Sequence, residues 1–331
     1  MKLQRSATFP AAGSPARATD PQRRRWLRAI GAAPLAASAA STPVGAAVKT
    51  QARIVIAGSG LGGIAVASRL MKELDGASVT IVDGRAQHYY QPGFTLVATG
   101  IWPVDKVLDP TAGFIPAGVK WVRDMVAEFD PAANVVVTRS GERIPYDYLV
   151  VATGLHLDYA QIEGMDVAAI GRNGLASVYA GPQAAEATWT ALDAFRQKGG
   201  QALMTLPAGP LKCAGAPLKM TFMVADRLRQ SGTLDKSRVD FHTALPTGTV
   251  FGVKVVNDDV LARWKALGIQ NHYLSKLVAV DPGARKATFA SPEGQRETLD
   301  YDFLHVVPPM RAPDVVKQSD LSWKEGGFAP G

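Results

Sequence analysis

The sequence predicts an α/β protein made of two Rossmann-like three-layer domains. Three observations predict it. Residues 53–83 run strand, glycine-rich turn, helix, strand and acid. Residues 181–229 run helix, strand, turn and helix, with a turn of another kind. The length of 331 residues suits two domains at ~150 residues each.

The first unit reads "ARIVIAGSGLGGIAVASRLMKELDGASVTIVDGR". Arg53–Ala57 is a short β-branched run, the pattern of a buried parallel strand. Gly58-Ser59-Gly60-Leu61-Gly62-Gly63 fits G-x-G-x-x-G, and 64–74 carries helical apolar spacing. Residues 79–82 read as a second buried strand, and Asp83 follows it, 20 residues after Gly63. Each glycine has a physical task. Gly58 suits a tight turn, and Gly60 lets backbone approach a pyrophosphate at a helix N-terminus. Gly63 suits close packing of helix on strand. Asp83 can accept from a ribose 2′-hydroxyl, and its charge disfavours the 2′-phosphate of NADP.

The second unit carries a helix at 181–199, a strand at 201–206 and then "PAGPLKCAGAPLKM". Gly209, Cys213 and Gly215 do not make a dinucleotide turn, and Pro207, Pro210 and Pro217 stiffen the loop. An NAD(P)H-driven reductase is therefore disfavoured. Cys213, the only cysteine, stands just ahead of a helix that begins at 214–217 and continues over 218–229. The positive end of that helix, with Lys212 and Lys219, favours a thiolate. A lone cysteine is also commonly a small core residue, and the residues by themselves leave both readings open.

The composition, 47% hydrophobic and 20% charged with 32 glycines, is that of a globular chain. One cysteine excludes an intrachain disulfide and a cysteine-based zinc site. His88, His156, His242, His272 and His305 show no close metal-ligand spacing, and no metal is expected. Residues 1–46 hold seven of the 36 Lys/Arg and one of the 29 acids, leaving 29 bases against 28 acids elsewhere. The net charge of +7 thus belongs to the N-terminus and does not point to nucleic acid.

That N-terminus, "RRRWLRAIGAAPLAASAASTPVGA", has the layout of an export signal: charged head, short apolar stretch, small residues. Arg23-Arg24-Arg25-Trp26-Leu27-Arg28 resembles the twin-arginine signal, with Gln22 in place of the usual Ser/Thr. The apolar stretch at 29–40 contains Pro34 and is too short to span a bilayer, which needs ~20 residues. Cleavage after Ala39 or Ala46, export by the twin-arginine machinery and a periplasmic location are the expectations.

"IPYDYLVVATG", 144–154, resembles the strand that closes the FAD domain of two-dinucleotide-binding-domain flavoproteins, with Thr153 and Gly154 at its end. The insert before it, "MVAEFDPAANVVVTRSGERI", matches an antiparallel element whose first strand, around Val126, lies by the adenine in that family. "KCAGAPLK" is similar to the first active-site cysteine segment of sulfide:quinone oxidoreductases, the branch that includes the mitochondrial enzymes. "HYYQPGFTLVATG", "VVATGLHLDYAQIEG", "VYAGPQAAEATWTAL", "TGTVFGVK" and "LHVVPPMRAPDVVKQS" match in the same order, over roughly residues 50–320.

On this resemblance the cofactor is FAD, held by Gly58, Gly60, Leu61, Gly63, Asp83, Val126, Thr153 and Gly154. The implied reaction oxidises sulfide through a sulfur-bridged cysteine pair, by way of a cysteine persulfide. Electrons pass to FAD and on to a membrane quinone, and sulfane sulfur leaves to an acceptor. Cys213 is one member of the pair and Lys219 its electrostatic partner; Phe222, Phe251, Pro308 and Pro309 are quinone-pocket candidates. The second cysteine, a Gly-Asp motif at the flavin and the membrane-seating elements belong to a C-terminal segment absent from this sequence. The expected layout is a signal at 1–46, an FAD domain at 50–165, a second domain at 166–310 and a shortened return to the FAD domain at 311–331. A related reading is the flavoprotein subunit of flavocytochrome c sulfide dehydrogenase. A reading of another class is a truncated, catalytically silent flavoprotein module. An NADH:quinone oxidoreductase is disfavoured by the lost second fingerprint.

Overall fold

A computed structural model describes residues 47–322, so the export signal expected at 1–46 lies outside the described residues. The first domain is built on β1 (Arg53–Ala57), α1 (Leu61–Glu73), β2 (Ser78–Val82), β3 (Lys120–Val122) and β4 (Tyr148–Val151). The four strands form a parallel sheet in the order β4-β1-β2-β3. Both faces of β1 are covered, which is why its sequence is apolar without alternation. Ile54 and Ile56 pack with Ala67 and Leu70 of α1 and with Val79 and Ile81. Val55 and Ala57 face the other way, onto Phe129, Val136 and Ile144. Those three sit in an antiparallel meander of Val126–Asp130, Val135–Thr138 and Arg143–Pro145. Helix, sheet and meander make the three layers.

The second domain repeats the plan. Its elements are β5 (Leu175–Ala176), α2 (Pro182–Lys198), β6 (Gln201–Leu206), α3 (Gly215–Gln230), β7 (Arg238–Thr243), α4 (Lys254–Ala266), β8 (Gln270–His272) and β9 (Phe303–His305). The strands are parallel in the order β5-β9-β6-β7-β8. Met204, Phe241 and Phe303 face the helices, against Leu192, Phe195, Leu228 and Trp264. Leu203 and Leu304 face a second meander, Lys276–Asp281, Lys286–Ala290 and Arg296–Asp300, through Leu277, Ala287 and Phe289.

Two chain crossings tie the domains together. His156–Leu157 pairs antiparallel with Met310–Arg311. Beyond it, Val315 and Val316 of the short helix Asp314–Lys317 pack against the first domain's meander cluster.

Phe241 has no exposed surface and packs on the fully buried Trp264, ring centroids 4.6 Å apart. Phe241→Ala should cost about 3–5 kcal/mol by leaving a cavity between β7 and α4. Denaturant unfolding followed by tryptophan fluorescence reads this as a lowered midpoint; an unmoved midpoint would contradict this packing.

Candidate functional site

The glycine turn joins β1 to α1. Gly58 has φ +113°, and a Cβ on it would stand 2.3 Å from the Ala152 carbonyl oxygen. A Cβ on Gly63 would stand 1.9 Å from the Gly58 carbonyl oxygen. Neither position admits a side chain, and the closeness of these contacts fixes where α1 begins. Gly60 differs: the nearest atom to a Cβ there is Arg85 Nη2, 4.0 Å away. Gly60 caps α1 without a side-chain hydrogen bond, and the first N–H groups of a helix have no partner within it. This end of α1 is an open, positively polarised place.

Two cavities flank the turn. One, of about 330 Å³, is lined by Ser59, Gly60, Leu61, Tyr89, Thr95, Tyr179, Lys212 and Cys213, among others. The other, of about 350 Å³, is lined by Gly58, Asp83, Val126, Thr153, His156 and Asp314, among others. Arg85 lines both. Each lies in the size range of ligand pockets, ~300–1,000 Å³. Of the residues proposed from sequence, Gly60, Leu61 and Cys213 meet at the first cavity; Gly58, Asp83, Val126 and Thr153 meet at the second. Gly63 lies buried beneath the turn, and Gly154, at φ +76°, has open space where a side chain would stand.

Asp83 is 3% exposed and already occupied. It accepts from the Ser59 N–H at 2.7 Å, the Arg85 N–H at 2.9 Å and the Arg85 guanidinium at 2.6 Å. Burial works to raise its carboxyl, but the Arg85 side chain and the two backbone donors outweigh it and hold the group below the usual carboxylate range. Arg85 was not singled out from sequence. Its signal is position: it stands two residues after the acid that ends β2.

Cys213 is exposed, free and left-handed, with φ +54°, just ahead of α3 and its capping residue Ala214. That conformation costs a non-glycine residue roughly 1–2 kcal/mol. Two donors hold it: Ala216 N–H reaches the Cys213 carbonyl at 2.8 Å and the Tyr179 hydroxyl at 3.4 Å. Burial pushes the Tyr179 hydroxyl up, so it stays a donor. Lys212 lies against Gln91, its Nζ donating to Oε1 at 2.9 Å. Burial pushes its ammonium below the usual lysine range; the Cys213 sulfur opposes that shift and Arg85 adds to it.

Lys219 does not line this cavity. It is exposed and donates to the Pro92 carbonyl at 3.5 Å, so Lys212, and not Lys219, is the cation beside the thiol. The reason is helical phase, since Lys219 sits a turn inside α3. Phe222 packs on Trp264 at 5.8 Å and Phe251 packs against the second domain's core. Neither of them, nor Pro308 or Pro309, lines either cavity.

Strand pairing sets His242 opposite His272, with Asp240 beside them. Linear spacing does not show this cluster. The two rings lie parallel, 4.3 Å apart with 8° between planes, so their in-plane lone pairs do not converge on one point. Asp240 accepts from Arg238 and Gln201, and His272 Nε2 lies 3.5 Å from its Oδ1.

A model of the "Pyridine nucleotide-disulphide oxidoreductase" family matches residues 52–200. The mitochondrial sulfide:quinone oxidoreductase of Mus musculus is 37% identical over 284 residues, which is 84% of this chain and 61% of the relative. The chain is similar to sulfide:quinone oxidoreductases over 84% of its length. The Dictyostelium discoideum mitochondrial sulfide:quinone oxidoreductase is 36% identical over 282 residues, 85% of this chain and 61% of its own length. The solved sulfide:quinone oxidoreductase of Aquifex aeolicus shares the fold, with a TM-score of 0.68 at 24% identity, covering 82% of this chain and 60% of that one. The chain therefore spans about 61% of the length of the curated relatives it matches.

The family is one of FAD-dependent flavoproteins. The residues present fit that cofactor. A dinucleotide needs two pockets joined across a diphosphate, and two cavities meet across the glycine turn. The Thr95 hydroxyl, buried and without a hydrogen-bond partner among the described residues, lines the cavity that also holds Cys213.

Gly60→Ala should leave the fold intact and weaken FAD binding about tenfold or more, since its Cβ enters the open space between turn and Arg85. Gly63→Ala should instead cost about 1–3 kcal/mol of stability through overpacking. Flavin fluorescence titration and thermal unfolding of both variants separate the two effects; equal behaviour would refute the distinction.

Proposed function

We propose that this chain is the FAD-binding, sulfide-oxidising part of an enzyme that passes its electrons to a membrane quinone. The supporting observation is that Leu61 of the α1 turn and Cys213, 152 residues apart in sequence, line one cavity. FAD, when bound, supplies a two-electron acceptor. The chain's own residues bring sulfur to it. In the sulfur-bridged state the incoming hydrosulfide attacks the Cys213 sulfur and the S–S bond to the second thiol breaks; Cys213 keeps the added sulfur as a persulfide, and the electron pair leaves on the second thiolate, which would deliver it to the flavin. Lys212 places a cation beside the thiol and beside an incoming hydrosulfide. Tyr179 holds the Cys213 carbonyl and thereby the direction of the side chain. A single thiol cannot cycle between dithiol and disulfide, so the second sulfur of the exchange comes from a thiol other than this sequence's one cysteine. The names of the relatives support quinone as acceptor, and peripheral membrane contact goes with it. The basic leader, with Arg23, Arg24 and Arg25, supports twin-arginine export to the periplasm.

The FAD-loaded chain, kept anaerobic with Cys213 held as a mixed disulfide with a small thiol, should lose flavin absorbance on adding sulfide and keep it on adding NADH. Cys213→Ser should bind FAD and abolish the sulfide response. Bleaching that survives in this variant removes Cys213 from the mechanism; bleaching by NADH overturns the sulfide reading. Reoxidation by a soluble quinone and not by cytochrome c decides the acceptor. For the leader, a reporter fused after residue 46 should stay in the bacterial cytoplasm when Arg23, Arg24 and Arg25 become lysine; continued export would refute the twin-arginine route.

A further inference from the structure

Asp83 has no acceptor position left. Its Oδ1 accepts from Arg85 N at 2.9 Å and Nε at 3.1 Å, and its Oδ2 from Ser59 N at 2.7 Å and Arg85 Nη2 at 2.6 Å. A carboxylate offers about four lone-pair sites. A ribose cannot hydrogen-bond to this acid while the guanidinium stays. Yet Arg85 is not itself enclosed. Its side chain is 47% exposed, it lines both cavities, and Nη2 lies 4.0 Å from where a Gly60 Cβ would be. It thus stands over the turn that a diphosphate would cross.

We propose that Arg85 is an exchange residue for cofactor entry: its guanidinium leaves Asp83 for the cofactor's diphosphate as the ribose hydroxyls replace it on the carboxylate. This rests on the FAD reading above and deepens it. The exchange conserves partners. Asp83 keeps the Ser59 and Arg85 backbone donors and gains two hydroxyls for the guanidinium it gives up. Arg85 trades one anion for another, and both contacts are charge-assisted. Without the exchange, a diphosphate would sit beside a buried anion whose cation faced away from it. With it, the polarised end of α1, Arg85 and Lys212 surround the new charge.

The exchange sets two ligands apart. Adenosine offers the ribose but must break the Arg85–Asp83 pair and return no anion to the guanidinium. ADP returns one. Calorimetric titration of the flavin-free full chain with ADP and with adenosine tests this in the wild type, Arg85→Ala and Arg85→Gln. Glutamine keeps a neutral donor for Asp83, and circular dichroism checks that both variants fold. ADP should weaken about 10- to 100-fold in both variants, the range of a hydrogen-bonded charge. Adenosine should bind as before or more tightly, and the salt dependence of ADP binding should shrink. Equal losses for the two ligands, or no loss for ADP, would overturn the exchange while leaving FAD binding intact. A wild-type chain that binds neither FAD nor ADP would overturn the cofactor reading and the exchange with it.

Discussion

Between the Gly58 carbonyl and the α-carbon of Gly63 there is no room for a side chain, since a Cβ at 63 would lie 1.9 Å from that oxygen. The rest of the nucleotide end depends on this approach. It lets α1 start directly off β1, with Ile64 N–H already bonded to the Gly60 carbonyl at 3.0 Å. The unpaired N–H groups of the first turn then lie at the sheet's carboxyl edge. In open parallel sheets that edge is where ligands bind. The turn is also short enough to act as a partition, with Gly58 on one cavity and Gly60 on the other.

The second domain shows what happens when that approach is not made. β6 and α3 occupy the places of β1 and α1, under the same three-layer plan. The connection is 207–214 in place of 58–60. This longer loop places Cys213, in its left-handed conformation, at the cavity that Gly60 and Leu61 also line. The domain shares the packing plan without the close glycine turn of the first. A thiol stands there instead.

Much of this was legible from the residues. β1, α1, β2 and the first meander carry strong local signals: β-branched runs, helical spacing, and turns at Asp130-Pro131 and Ser140-Gly141. The second meander was not anticipated, because Arg296–Asp300 is largely exposed and its sequence, RETLD, has no apolar alternation. Its place comes from pairing with Lys286–Ala290, which is a tertiary fact. The residues at the two cavities were legible where a motif names them, as for Gly58, Gly60 and Cys213. Lys212 was legible from its place next to Cys213, whereas Arg85 was not, because a cation's partner is set by where a loop folds back. Lys219 reaches the Pro92 carbonyl at the edge of the Cys213 cavity without lining the cavity itself.

The charges follow from these placements. Among the residues that line the thiol's cavity, Arg85 and Lys212 are cations and no carboxylate appears. The repulsion between them is part of what pushes the Lys212 ammonium down. Such a pocket disfavours a cationic occupant and favours a small anion, the hydrosulfide form in which sulfide is most nucleophilic. A diphosphate that takes up the charge of Arg85 would also remove that repulsion from Lys212, although burial, the larger cause, would remain. The cofactor's charged middle and the chemistry at the thiol would then be joined through one guanidinium, across a turn that only glycine can make.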